Sequence, residues 1–326
     1  MKLLVTGGAG FIGSCFVRHI LNTYKDYKVI NIDALTYAGN IENLDDVKDN
    51  PNYKFVHGNI CDKKLVRKLV NEADAVVNFA AESHVDRSIT GPEIFIETNV
   101  QGTLNLLQAS KEAKIDRFLQ VSTDEVYGTL GKEGYFYETT PLAPNSPYSA
   151  SKASADLLVR AYYETYKMPV LNTRCSNNYG PYQYPEKLIP FFISQLLKGE
   201  KVPVYGDGMN VRDWLYVYDH CSAIDTVLHK GRVGEVYNIG GHNEKTNMEI
   251  TKIILNAMGK DESSIKYVED RLGHDKRYAI DNHKIQTELG WEPSLTFEEG
   301  IKLTIDWYLN NQEWMKSIEE KKASLV

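Results

Sequence analysis

Two short stretches carry most of the chemistry this chain could do. Val121-Ser122-Thr123-Asp124-Glu125-Val126-Tyr127-Gly128 sets a hydroxyl beside two adjacent acids, and Tyr148-Ser149-Ala150-Ser151-Lys152 sets a phenol one helical turn from an ammonium. Residues four apart share a helix face, so Tyr148 and Lys152 can act together. An ordinary tyrosine, with a pKa of about 10, is a poor base at neutral pH. A nearby positive charge favours the phenolate and lowers that value. Tyr148, held by Lys152 and Thr123, can then take a hydroxyl proton as hydride leaves the same carbon. That oxidation needs no carboxylate, so Asp124 and Glu125 point to a further step. Two close acids tend to have separated pKa values; one carboxylate can then remove a proton while the other, still protonated, donates to a departing hydroxyl. Neighbours on a regular strand face opposite ways. Both acids reach one substrate only if the chain leaves the extended form there, which the following Tyr127-Gly128 favours.

The elements that would hold these residues alternate. Lys2–Thr6, Lys28–Asp33, Tyr53–His57, Ala75–Phe79, Phe118–Ser122 and Val170–Thr173 read as buried strands, with helical patterns over Phe11–Thr23, Lys63–Val70, Phe95–Glu112 and Ser149–Tyr166. Buried strands separated by helices predict an α/β, Rossmann-like, doubly wound parallel sheet. After about Tyr179 the pattern becomes shorter and mixed. Leu188–Leu197, Asp219–His229, Met248–Met258 and Phe297–Asn310 read as helices, Val202–Tyr205 and Val236–Ile239 as strands, and the charged tail Ser317–Ala323 as a solvated helix end or frayed terminus. We therefore expect a dinucleotide-binding domain over 1–179 that carries the catalytic residues. A smaller mixed α/β substrate-binding domain is expected over 180–326, with some elements returning to the first.

Between the first predicted strand and helix lies Gly7-Gly8-Ala9-Gly10-Phe11-Ile12-Gly13, with Gly7, Gly10 and Gly13 three apart. Such a turn lets the backbone pass under a pyrophosphate, which then sits on the helix N-terminus. Asp33 closes the second strand, 20 residues beyond Gly13. An acid there binds the adenosine ribose hydroxyls and repels a 2′-phosphate, which argues for NAD over NADP.

Composition narrows the field further. The 326 residues are 42% hydrophobic and 25% charged, with a net charge of -7, so there is no basic footprint for nucleic acid. Cys15, Cys61, Cys175 and Cys221 are scattered, with no metal-ligand spacing; a reducing, cytoplasmic setting fits, with no metal and no disulfide framework. The first apolar run, cut by Gly7-Gly8, is too short for a signal peptide, and nothing approaches the ~20 apolar residues of a membrane span.

The glycine spacing and Phe79-Ala80-Ala81-Glu82-Ser83 resemble the extended branch of the short-chain dehydrogenase/reductase superfamily. Ser122–Gly128, Tyr148–Lys152, Asn177-Asn178-Tyr179-Gly180-Pro181-Tyr182 and Asp270–Tyr278 together resemble the dTDP-glucose 4,6-dehydratase family, over essentially the whole chain. That resemblance implies oxidation of the sugar at C4 by a retained NAD, elimination of water across C5 and C6, and return of hydride to C6. Tyr148 would be the base for the oxidation, with Lys152 and Thr123; Glu125 would remove the C5 proton and Asp124 would protonate the C6 hydroxyl.

By the same resemblance the cofactor site comprises Gly7, Gly10, Phe11, Ile12 and Gly13, then Asp33, Ala34, Leu35 and Thr36, then Asn59 and Ile60. Phe79, Ala80, Ala81, Glu82 and Ser83 follow, with Thr98, Tyr148, Lys152 and Asn178. The nucleotide-sugar would meet Ser83, Thr123, Asp124, Glu125, Asn177, Lys187 and Leu188. Pro203, Val204, Tyr205, Arg212 and Asn247 would contact it too, as would the run Asp270, Arg271, Leu272, Gly273, His274 and Asp275. Arg212 and Arg271 suit pyrophosphate oxygens, since guanidinium binds them in a fork, and Tyr205 could stack on the base. Leu272 stands where the family has proline, and the loop from Gly128 to Pro147 is short for the family, which implies altered loop packing. Family members commonly dimerise through two helices from each subunit; Phe95–Glu112 and Ser149–Tyr166 are the candidates here, giving a homodimer.

Rival readings share the fold. A UDP-hexose 4-epimerase needs no acid pair, and a UDP-glucuronate decarboxylase needs no acid at 124. A GDP-mannose 4,6-dehydratase typically uses NADP, which Asp33 disfavours. UDP- and CDP-glucose dehydratases differ only at the base. A non-catalytic cofactor sensor would usually lose the tyrosine or the lysine, and both are present.

Overall fold

Seven parallel strands form the centre of the molecule. In the computed structural model, which describes residues 1–270 and 274–324, β1 (Lys2–Thr6), β2 (Lys28–Asp33), β3 (Tyr53–His57), β4 (Ala75–Asn78), β5 (Arg117–Thr123), β6 (Val170–Cys175) and β10 (Val236–Ile239) stand in the order β10-β6-β5-β4-β1-β2-β3. Every pairing in this sheet is parallel. Both faces must therefore be covered, which explains strands apolar on both sides. On one face α1 (Phe11–Thr23) and α8 (Val217–Lys230) enclose a core with Val5, Phe16, Leu119, Ile224 and Tyr237. On the other, α2 (Lys63–Val70) and α5 (Thr103–Ala113) enclose Leu4, Ile30, Leu107 and Phe118. Next to α5 stands α6 (Pro147–Tyr166), contributing Val159 and Tyr162.

The other strands build two small sheets, β11-β9-β7 and β12-β8. They are β7 (Asn177–Tyr179), β8 (Val202–Tyr205), β9 (Val211–Tyr216), β11 (Glu244–Thr246) and β12 (Ile265–Val268). With α7 (Leu188–Leu197), α9 (Asn247–Ala257) and α11 (Phe297–Asn310) they surround a separate core that includes Tyr179, Phe192, Trp214, Ile254 and Tyr308.

Most predicted elements lie within a residue or two of the observed ones, the usual uncertainty of element ends. Four points are informative. The helix expected over Phe95–Glu112 is three pieces: α4 (Glu93–Phe95), a π-helical turn over Ile96–Gly102, and α5. The wider turn aims Asn99 away from its own helix. Its Oδ1 accepts from Glu82 N at 2.8 Å, and its Nδ2 donates to Glu82 O at 3.0 Å and Ser151 Oγ at 2.8 Å. π turns of this kind gather at functional sites.

Beyond Tyr179, β10 and α8 belong to the first layer system: β10 pairs with β6, and α8 lies on α1. Of the two forms expected for the tail, the helix end is the one observed, packed rather than fully solvated. The tail forms α12 (Gln312–Ser324), with Met315 and Ile318 buried and Trp314 Nε1 donating to Asn43 Oδ1 at 2.9 Å. Finally, α3 (Val85–Thr90), α10 (His283–Leu289), β7, β9, β11 and β12 are additional to the sequence reading. In β9, Arg212 and Asp213 disguise a buried strand. Both are satisfied: Arg212 donates to two carbonyls, and Asp213 accepts from Gly241 N and Asn243 N.

Candidate active site

One cleft runs along the C-terminal ends of the parallel strands, where ligands bind in open α/β sheets. The Gly7–Gly13 turn forms its floor. A Cβ on Gly13 would collide with the Gly7 carbonyl, and one on Gly7 would lie 2.7 Å from Ala80 N, so these glycines are set by close backbone approach. No side chain caps the N-terminus of α1. Its free N–H groups leave a positive end for an anion.

At the end of β2, Asp33 is buried. Its Oδ2 accepts from Ala9 N at 2.9 Å and its Oδ1 from Leu35 N at 2.8 Å, which fixes the carboxylate while leaving lone pairs for hydroxyls. Burial pushes its pKa up, opposed by those two backbone bonds. An uncapped helix end over a glycine floor, with an oriented acid beyond it, fits a dinucleotide.

At the other end of the cleft, β5 stops at Thr123 and the chain turns at once into a 3₁₀ helix over Asp124–Tyr127. The extended form is broken where both acids require it. Thr123 caps the turn, its Oγ1 accepting from Glu125 N at 3.3 Å and lying 3.4 Å from Asp124 Oδ1. Asp124 is 2% exposed, and its Oδ2 has no hydrogen-bond partner among the described residues. Burial first, then the charges of Glu125 and Asp213, push its carboxyl well above the usual range. Glu125 is half-buried and lines the cleft.

Helix α6 delivers the phenol and the ammonium. Ser146 and Ser149 form a capping box, with Pro147 in the first turn, so the helix start is fixed just before Tyr148. Tyr148 stands edge-on to Phe95 at 6.3 Å. Lys152 Nζ donates to Val121 O at 2.8 Å, which ties the helix to β5. Burial first, and then Glu125, push the Tyr148 phenol well above its ordinary value, with a hydrogen bond from Thr123 opposing. Lys152 is buried too, and burial lowers its own pKa. An ammonium spent on a carbonyl does not offset that much desolvation.

All the sequence-derived cofactor residues line this cleft except one. Leu35, in the left-handed region at φ 49, packs its side chain against the core and contributes only its N–H to Asp33. Asn178 lines the cleft with its amide engaged by His220 Nδ1 at 2.8 Å and Ser176 O at 3.0 Å.

The substrate residues divide. Ser83, Thr123, Asp124, Glu125, Asn177 and Lys187 line the cleft, whereas Leu188, Pro203, Val204, Tyr205, Arg212, Asn247, Asp270, His274 and Asp275 lie beyond its wall. These outer residues cluster in the second sheet system. Arg212 Nη2 donates to Asp275 O at 2.9 Å and its guanidinium lies 4.6 Å from the Tyr278 ring centroid. The Asp275 carboxylate accepts from Thr129, Asn145 and Tyr278. His274 pairs with Asp270 at 2.6 Å and stands edge-on to Tyr205, which is 42% exposed. Val204 is core. Arg271, Leu272 and Gly273 lie outside the described residues. The short loop after Gly128 packs Phe136 against Tyr127, Tyr278 and Ile280.

Sequence reasoning missed Cys175, Ser176, Gln183, Tyr184 and Glu186, which also line the cleft. The first two follow from the strand-end rule, since β6 ends at Cys175. The other three come from a loop without a local signal.

The parallel sheet, glycine turn and buried Tyr148–Lys152 pair define an extended short-chain dehydrogenase/reductase. Residues 4–304 match the family model described as GDP-mannose 4,6 dehydratase. A dTDP-glucose 4,6-dehydratase of Xanthomonas campestris pv. campestris (strain B100) is 58% identical over 335 residues, covering 97% of this chain and 95% of the relative. The low-salt glycan biosynthesis protein Agl12 of Haloferax volcanii is 58% identical over 313 residues, covering 96% and 100%. Among solved structures, the dTDP-glucose 4,6-dehydratase DesIV of Streptomyces venezuelae, solved with NAD bound, superposes with a TM-score of 0.95 at 53% identity, covering 98% and 100%. The chain belongs to the nucleotide-sugar 4,6-dehydratase family, on the branch formed by these dTDP-glucose 4,6-dehydratases.

Proposed function

We propose that the protein is an NAD-dependent hydro-lyase that converts dTDP-glucose to dTDP-4-dehydro-6-deoxy-glucose and water. The observation that carries this reading is the 3₁₀ turn that sets Asp124 and Glu125 side by side in the cleft that also holds Tyr148 and Lys152. An epimerase has no use for that acid pair, and a decarboxylase has none for Asp124.

The roles follow from surroundings. Tyr148 takes the C4 hydroxyl proton, with Thr123 hydrogen-bonded to the same oxygen and Lys152 holding the helix against β5. When bound, NAD supplies the hydride acceptor at C4, the hydride donor at C6, and a positive ring that favours the phenolate. Glu125, the more exposed acid, is the base at C5, where the C4 ketone makes the proton acidic, and it returns a proton to C5 as hydride is delivered to C6. Asp124, kept protonated by burial, donates to the C6 hydroxyl as it leaves as water. The sum is redox-neutral, so the cofactor need not depart.

The Asp33 carboxylate supports NAD over NADP. We place the dinucleotide in the lobe built on the seven-stranded sheet, mainly residues 1–179. The nucleotide-sugar would lie against the lobe built mainly from 180–326, where Arg212 offers a guanidinium beside Tyr278 and exposed Tyr205 offers a ring for the base.

We also propose a homodimer through the α5 and α6 face. Ile94 in α4 and Ile96 in the π turn, which run into α5, are 43% and 53% exposed, and Leu157 and Tyr166 in α6 are 56% and 51% exposed; a sedimentation mass of one chain would reject the dimer. Among the described residues no helix is long and apolar enough to cross a membrane. Four unpaired cysteines suit the cytoplasm, where we place the protein and its supply of deoxysugar.

The test is incubation of the purified protein with dTDP-glucose in heavy water without added NAD, read by mass spectrometry and NMR. Loss of one water with deuterium at C5 is the expected result. A C4 epimer alone would exclude elimination, and turnover only with UDP- or CDP-glucose would reassign the base.

A further inference from the structure

Three loops meet over the cleft and are tied by one cation. Arg87, in α3, places its guanidinium 3.8 Å from the centroid of the Tyr37 ring, and its Nη2 lies 3.3 Å from Glu186 Oε2. Tyr37 belongs to the loop after β2, α3 follows the loop after β4, and Glu186 belongs to the loop before α7. The ties repeat around this centre. Tyr37 hydrogen-bonds Ser83 and stands edge-on to Tyr184 at 5.7 Å. Lys187 Nζ donates to Ser83 O at 3.2 Å, and His84 Nε2 lies 3.9 Å from Glu186 Oε1.

Each tied loop also forms cleft wall, through Ala38 and Gly39, Ser83, and Tyr184 and Lys187. None of these ties belongs to a helix or strand ladder, and the Arg87 side chain is 41% exposed while its partner Glu186 is 11% exposed. The contacts bridge an opening rather than fill a core. A guanidinium stacked on one side and ion-paired on the other is a role that a lysine does not reproduce.

We propose that Arg87, with Tyr37 and Glu186, forms a latch that retains the dinucleotide in the cleft between turnovers. The inference rests on the dinucleotide reading above. A molecule extended from Asp33 to Tyr148 passes beneath these loops, and it leaves only when the Tyr37 loop parts from the Glu186 loop. An enzyme whose cofactor is regenerated in each cycle gains from a slow release that an ordinary dehydrogenase would not tolerate. The latch governs release rate rather than chemistry, so Arg87 is a positioning residue.

The experiment compares the wild-type protein with Arg87→Ala and Tyr37→Leu. Bound dinucleotide is exchanged against isotope-labelled NAD, and unfolding is followed separately. Loss of the stack or the ion pair should speed exchange by about 10-fold or more. Activity lost on dialysis should return on adding NAD, with an unfolding midpoint near that of the wild type. Exchange at the wild-type rate in both variants overturns the latch and leaves the dehydratase reading intact. A wild-type protein that neither carries nor binds NAD overturns both. If Arg87→Ala fails to fold, Tyr37→Leu, which leaves the Arg87–Glu186 pair in place, decides the matter alone.

Discussion

Asp124 and Glu125 occupy one turn of 3₁₀ helix yet meet different surroundings. Asp124 is 2% exposed, with Oδ2 unpartnered among the described residues, whereas Glu125 reaches the cleft half-buried, its backbone N–H donating to Thr123 Oγ1. Burial and the neighbouring charges of Glu125 and Asp213 favour the protonated form of Asp124. A β-elimination asks for that division, with one acid charged and one neutral in the same pocket.

Substitution of either acid should therefore reduce turnover more than binding. Asp124→Asn keeps an N–H donor but loses a transferable proton, and kcat should fall about 10²-fold or more with KM little changed. Glu125→Gln should show a similar fall together with loss of deuterium entry at C5. Steady-state rates combined with product NMR check both. A raised KM at constant kcat would make the pair a binding element instead.

The α1–α8 contact should have a pH window set by Asp225. Its carboxylate lies between His19 Nε2 at 2.9 Å and His229 Nδ1 at 2.8 Å, and Tyr24 also donates to it. Burial pushes Asp225 up, but the two imidazoles outweigh it and hold the pKa at about 2. Its contribution is present above the ordinary carboxylate value of 3.8 and is lost as pH falls towards 2. His229 has the opposite sense, raised chiefly by its hydrogen bond to Asp225 and lowered in part by burial and by Arg117; Tyr27 caps its Nε2. That contribution is full below the ordinary value of 6.5 and lost as pH rises through the folded pKa. Urea unfolding of Asp225→Asn across pH should show both slopes flattened; unchanged slopes would place the titration elsewhere.

What the sequence displays and what it hides follow from range. The glycine turn and Asp33 are legible because both needs are local: a backbone that must approach another closely, and an acid at a strand end. Tyr148 and Lys152 are legible because helical spacing alone aligns them. Glu186 and Tyr184 are not, because their loop reaches the cleft only after β7 pairs with β9, across some 30 residues of intervening chain. Arg212 and Asp213 hide a strand because charge reads as surface until the partners that satisfy it are known. The π turn is hidden for a related reason: Asn99 leaves its helix to serve Glu82 and Ser151, neither of them near in sequence.

The buried pair Arg174–Asp156 should matter through the helix it anchors. Arg174 Nε meets Asp156 Oδ2 at 2.8 Å, with exposures of 7% and 1%, and Arg174 Nη1 donates to Tyr127 Oη, which in turn donates to Asn238 Oδ1 at 2.7 Å. The chain of contacts links β6, α6, the acid-bearing turn and β10. Asp156→Ala leaves a buried guanidinium uncompensated and should destabilise the protein by about 3–5 kcal/mol. Asp156→Asn, which keeps an acceptor, should lose less. Chemical denaturation separates the two; equal losses would show that shape rather than charge is what Asp156 provides.

Two glycines of the dinucleotide turn should separate folding from cofactor binding. At Gly13 an added Cβ meets the Gly7 carbonyl, which is backbone and cannot swing aside, so Gly13→Ala should cost about 1–3 kcal/mol. At Gly10 the same Cβ would meet only Gly7 O at 3.3 Å, a contact that a shift of a few tenths of an ångström relieves. Gly10 also lines the cleft at the open end of α1, so a methyl there intrudes where the pyrophosphate would lie. Gly10→Ala should accordingly unfold close to the wild-type temperature yet be isolated with much less bound dinucleotide, while Gly13→Ala should lose both together. Thermal unfolding, paired with assay of the nucleotide released on denaturation, reads the two effects independently. Full dinucleotide content in Gly10→Ala would mean that the pyrophosphate does not rest on the first turn of α1.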